Sequence, residues 1–146
     1  MIRNIKQNLL TPEVYSIYSL CMYAPTYEKF AKKARAYLED EDTAVYGFYE
    51  DRSLFGIIVL RSMDQDTAEI IGIAVDQAHQ HQHIGKALIE YAATIGPYWK
   101  LHAETDDDAV LFYKRCGFQI EPFYMVYNEK QCKRYRCIYH SPQSPA

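Results

Sequence analysis

His79, His81 and His83 stand at alternate positions in HQHQHIGKAL, the stretch from His79 to Leu88. On an extended chain that spacing puts three imidazoles on one side, as a metal site would need. A helix opening near His83 works against the metal reading. It leaves two others: a solvated loop with incidental histidines, or a turn in which His81 or His83 helps to hold an anion. Glu69 is the second chemically suggestive residue, a carboxylate at the head of the otherwise apolar run AEIIGIAV. A partly buried acid at such a place is suited to accept a proton, whereas an exposed strand end would leave it idle.

These residues need elements to position them. Thr11, Pro12 and Glu13 read as a helix start, with Val14, Ile17, Tyr18, Cys21 and Met22 at helical spacing and Pro25 ending the run. Thr26 caps a second helix, whose stripe is Phe30, Ala31, Ala34 and Leu38. From Thr43 the period changes. TAVYGFY and SLFGIIVL form a hairpin around Glu50, Asp51 and Arg52, and a third strand runs antiparallel from Ala68 to Val75. Ile84, Ala87, Leu88, Tyr91, Ala92 and Ile95 mark an amphipathic helix stopped by Gly96 and Pro97. WKLHAE is a short strand, and Thr105 to Asp108 has the form of a capping box. The next helix carries Ala109, Val110, Phe112, Tyr113 and Cys116 before Gly117. FQIEPFYMVY and CKRYRCIY close the chain as a hairpin around Asn128, Glu129 and Lys130. The result is an α+β fold, a mixed central sheet of about seven strands flanked by about four helices. Residues 1–140 make one domain and 141–146 a flexible tail.

The composition narrows the function. A net charge of -3 argues against a scaffold that tracks nucleic-acid phosphates. No apolar segment is long enough for a signal peptide or a membrane span, so a cytoplasmic location is expected. Cys21, Cys116, Cys132 and Cys137 include no CxxC pair and read as reduced; the last three are expected to be packing residues.

The order of elements and two local patterns resemble the GNAT superfamily of acyl-CoA-dependent N-acyltransferases, over nearly all of Met1 to about Tyr139. The first pattern is a strand ending in hydrophobic-x-Val, a short loop, then Gln/Arg-x-x-Gly-x-Gly/Ala opening a helix. Here it reads Gln80-His81-Gln82-His83-Ile84-Gly85, with His83 where the family has its first glycine. The second is Ala109, Phe112, Tyr113, Gly117 and Phe118, an alanine four residues before a tyrosine with Gly-Phe after it.

The resemblance implies acetyl-CoA as cosubstrate. Its diphosphate would be held by backbone amides of about His81 to Lys86, where a helix start offers unpaired N–H groups and a favourable dipole. Gln80 would lie nearby, and the pantetheine arm would pair with the backbone of Ile73, Ala74 and Val75. Asp106 stands where many relatives have an asparagine that contacts the cofactor, and capping its helix is the other use open to it. Glu69 matches the general base of histone-acetylating members, with Glu104 in reserve, and Tyr113 would protonate the departing thiolate. The implied reaction is direct transfer of an acetyl group to a primary amine in a ternary complex. An alkylamine is neutral only about one part in a thousand at neutral pH, a handicap of roughly 4 kcal/mol that a base relieves in part. The acceptor would be a small-molecule amine or the lysine or N-terminal amine of a protein. The acidic runs Glu39 to Asp42 and Asp106 to Asp108 would draw a cationic one, such as a polyamine, unless they are simply wet faces. The alternative is a non-catalytic acyl-CoA-binding sensor or regulatory module, which His83 favours. The state would be monomer or homodimer.

Overall fold

A computed structural model describes residues 1–95 and 98–142. Thr11 accepts the Val14 amide at 3.2 Å to cap α1 (Pro12–Tyr18), and Thr26 accepts that of Lys29 at 3.1 Å to cap α2 (Tyr27–Glu39). The first helix stops earlier than Pro25. It tightens into a 3-10 turn over Ser19–Cys21, and Ala24 then reverses the chain with φ of 44°.

Seven strands form one sheet in the order β1-β2-β3-β4-β5-β7-β6. The first four are β1 (Ile2–Asn4), β2 (Thr43–Glu50), β3 (Ser53–Ser62) and β4 (Thr67–Val75), all antiparallel neighbours. The crossover helix α3 (Ile84–Ile95) brings β5 (Lys100–Thr105) back parallel to β4. After α4 (Val110–Arg115), β6 (Gln119–Tyr127) takes the edge and β7 (Lys130–His140) inserts between it and β5. Both hairpins turn on two residues rather than three. Asp51 and Arg52 have φ of 49° and 69°, and Asn128 and Glu129 have 51° and 63°, the paired left-handed geometry that suits the right-handed twist of strands. Glu50 and Lys130 therefore belong to strands.

Each face of the sheet is covered, which explains why FGIIVL is apolar without alternation. Ile58, Leu60, Ala68, Ile70, Leu101 and Ala103 pack beneath α3 and α4, and Val45, Ile57, Val59 and Ala74 beneath α1 and α2. On α3 the buried face is Ile84, Gly85, Leu88, Ile89, Ala92 and Ala93. It is rotated from the expected stripe, so that Ile95 is exposed and Ala87 and Tyr91 lie at the margin. Gly96, Pro97 and residues 143–146 of the expected tail lie outside the described residues.

Two further expectations change. Thr105 does not cap α4, because it is the last residue of β5; Asp106 Oδ1 accepts the amides of Asp108 and Ala109 at 3.0 and 3.2 Å in the turn before the helix, whose N-cap residue Ala109 has no side-chain bond. At the other end Gly117, with φ of 95°, lets the Phe118 amide reach back to the Tyr113 carbonyl at 3.1 Å. Cys116 and Cys137 are buried packing residues, but Cys132 is exposed on the outer part of β7. Among the described residues no helix is long and apolar enough to cross a membrane.

Candidate active site

The sheet splits in its middle. Strands β4 and β5 are paired only at Thr67↔Lys100, Ala68↔Leu101 and Glu69↔His102, while β4 runs on to Val75 beside β3. The register with β3 shifts at the split, where Leu60 pairs with Ile70 but Val59 with Gly72, leaving Ile71 as the extra residue of a bulge. Beyond it, the Asp76 amide donates to the Phe55 carbonyl at 2.8 Å. Peptide groups alternate sides along a strand, so those of Ala74 face β3 and those of Ile73 and Val75 face the opening. The Gln80 side-chain amide makes a long contact of 3.4 Å to the Val75 carbonyl there.

At one end of this open edge lies the start of α3. The His83 carbonyl accepts the Ala87 amide at 2.9 Å, which places His83 just outside the helix and leaves the amides of Ile84, Gly85 and Lys86 without intrahelical acceptors. His81 and His83 have φ of 68° and 64°. The second value accounts for the glycine that the resemblance places at this position, since glycine adopts it without the steric cost a Cβ brings. Both imidazoles, with Gln80, Gln82 and Lys86, are exposed around the amides, whereas Ile84 is buried in the core. Gly85 is fixed by packing: a Cβ on it would lie 2.7 Å from the Phe112 ring of α4.

The three histidines do not converge. His79 bonds Asp76 at 2.7 Å and stacks on Phe55 with ring centroids 3.8 Å apart, so it belongs to the body of the protein. Among the described residues no group of three or more metal-binding side chains comes together.

Around the split, Glu69 lies between Ala68 and Ile70, both buried under α3 and α4, so its side chain is on the α1 and α2 face. His102, its partner across the β4–β5 ladder, shares that face and carries a buried Nδ1 with no hydrogen-bond partner among the described residues. Sequence reading passed over His102, because only the parallel register brings it beside Glu69. Glu104, two residues further along β5, is 4.0 Å from the Arg136 guanidinium.

Tyr113 approaches from the opposite face, buried against Phe112 and Phe118. Burial pushes its phenol well above the ordinary tyrosine range, and Cys137, Cys21 and Cys116 add to the shift. Cys21 itself lies on the α1 side of the sheet, in the 3-10 turn that follows that helix. There Cys21 donates to the Tyr18 carbonyl at 3.3 Å, and its thiol, close to the Ile73 amide, is pushed up to about 11 by burial. The Tyr18 hydroxyl lies 2.5 Å from where a Cβ on Gly72 would sit and bonds Tyr37 at 2.8 Å. Within the acidic runs, Asp40 accepts the Asp42 amide and the Thr43 hydroxyl, Asp106 accepts the amides of Asp108 and Ala109, and Asp107 accepts the Tyr135 hydroxyl at 2.7 Å.

Comparison with known proteins gives the class to which this opened sheet and helix start belong. Residues 11–118 match the acetyltransferase (GNAT) family, and the chain belongs to it. It is 34% identical over 87 residues to streptothricin acetyltransferase of Escherichia coli, covering 56% of this chain and 50% of that one, so it spans about half the length of that relative. A GNAT family acetyltransferase from Elizabethkingia anophelis with acetyl-CoA bound superposes with TM-score 0.68 at 23% identity, over 96% of this chain and 97% of that one. The spermidine N-acetyltransferase of Vibrio cholerae (F149A mutant) superposes with TM-score 0.71 at 17% identity, over 96% and 94%.

Proposed function

We propose that the protein transfers an acetyl group from acetyl-CoA directly to a primary amine in a ternary complex. The observation that carries this reading is the parting of β4 and β5 after Glu69, which leaves the peptide groups of Ile73 and Val75 open on an edge that leads to the α3 amides. The diphosphate binds the amides of about His81 to Lys86, with Gln80, Gln82 and the two exposed imidazoles around it. The pantetheine arm runs along Ile73 to Val75. An amide of that strand stabilises the oxyanion as the amine attacks the thioester carbonyl. Glu69 takes the proton of the amine, directly or through water. Tyr113, which keeps its proton through neutral and moderately alkaline pH because burial raises its pKa, gives it to the departing sulfur.

Thiol release from acetyl-CoA, measured with a panel of amines, tests these roles. Glu69→Gln and Tyr113→Phe should each lower kcat by about 10²-fold or more with acetyl-CoA affinity unchanged. With native protein, Tyr113 should contribute no alkaline decline below about pH 10, the ordinary range of a phenol. Full activity in both variants contradicts the assignment.

A further inference from the structure

The amine side of the split has a charge that the sequence reading did not anticipate. Lys29, Lys32 and Lys33 recur at i, i+3 and i+4 and so share one face of α2. All three line an open cavity of about 580 Å³ that also takes in Tyr18, Cys21 and the bulged Ile71 of β4. The cavity therefore abuts the stretch of β4 where the thioester would lie. Among the described residues no acidic side chain lines it. Lys29 donates to the Ala24 carbonyl at 2.9 Å, and among the described residues none of the three ammonium groups has a carboxylate within 4.0 Å. Three neighbouring cations repel one another on a helix, and a bound anion would relieve that repulsion. The patch is local, since the chain as a whole carries a net charge of -3.

We propose that the acceptor is a small amine that also bears an anionic group, a carboxylate or a phosphonate-like oxyanion, held by Lys29, Lys32 and Lys33 while its amino group faces Ile71 to Ile73. The proposal rests on the acetyltransferase reading and gives it a substrate class that carries an anionic group, which spermidine lacks. Open, partly apolar walls from Tyr18 and Ile71 suit a small molecule, and the lysines select its charge.

The test compares L-glutamate, 3-aminopropylphosphonate, benzylamine and spermidine as acceptors at low and high salt. At low salt an anionic amine should show kcat/KM at least about tenfold above spermidine and benzylamine, and the advantage should shrink in about 1 M salt, where screening is strong. The glutamate and phosphonate arms decide which oxyanion fits. K32E/K33E should cut kcat/KM for the anionic amine about tenfold or more and raise it for spermidine, with the melting temperature and acetyl-CoA affinity unchanged. A native preference for spermidine overturns the proposal. So does an unchanged preference in K32E/K33E, or acetyl-CoA that binds while none of the four amines is consumed. Failure of acetyl-CoA to bind at all is a separate result, which removes the acetyltransferase reading itself.

Discussion

His83 holds a backbone angle, φ of 64°, that glycine adopts freely and a residue with a Cβ adopts at a cost of about 1–2 kcal/mol. Its side chain is exposed, so the ring is not packed into the turn it terminates. His83→Gly should therefore stabilise the fold by about 0.5–1 kcal/mol after the entropic cost of glycine, and leave acetyl-CoA affinity equal or greater. Thermal unfolding and calorimetry check both, and a lower melting temperature or weaker binding contradicts the role given to the backbone here. At this scale the sequence was informative where a residue type is constrained by its place in a motif. Gly85, placed by its motif, packs against Phe112, and Glu69 and Tyr113 lie on opposite faces of the sheet. His102 and the lysines of α2 carried no such mark. Their neighbours are set by strand register and by the side of α2 that faces β4, neither of which is written in local periodicity.

Among the elements, α3 and α4 depend on one another through that glycine. A methyl at position 85 would lie 2.7 Å from the Phe112 ring, and Phe112 precedes Tyr113 on α4. Gly85→Ala should cost about 1–3 kcal/mol by overpacking, read from urea unfolding. It should also lower kcat, because displacing α4 moves Tyr113; an unchanged midpoint and unchanged kcat would mean that the contact is not tight. The helices α1 to α4 and the strands β2 to β7 were legible from period, residue type and turn residues, whereas the three-residue β1 and the ends of elements were less so. Pro25 marks where a helix cannot continue, but α1 tightens and stops before it, and Thr105, expected to cap α4, ends β5 while Asp106 bonds the turn before that helix. The insertion of β7 between β5 and β6 is a long-range pairing with no local signature.

For the molecule as a whole, two cores lie on opposite faces of one sheet, and β4 and β5 part between them after three paired positions. A thioester reaching that gap from the α3 side would meet an amine arriving from the α1 and α2 side. This division of labour follows from a parallel pair that stops after three residues and a bulge at Ile71. The parting of the strands beside Val75 was expected from the family resemblance, whereas the bulge at Ile71 had no mark in the amino-acid order. The most direct measurement is a crystal structure of the acetyl-CoA complex. It should place diphosphate oxygens about 3 Å from amides between His81 and Lys86, and the pantetheine arm against Ile73 and Val75. A coenzyme bound elsewhere, or an imidazole of His83 lying across those amides with β4 and β5 closed together, would contradict the account.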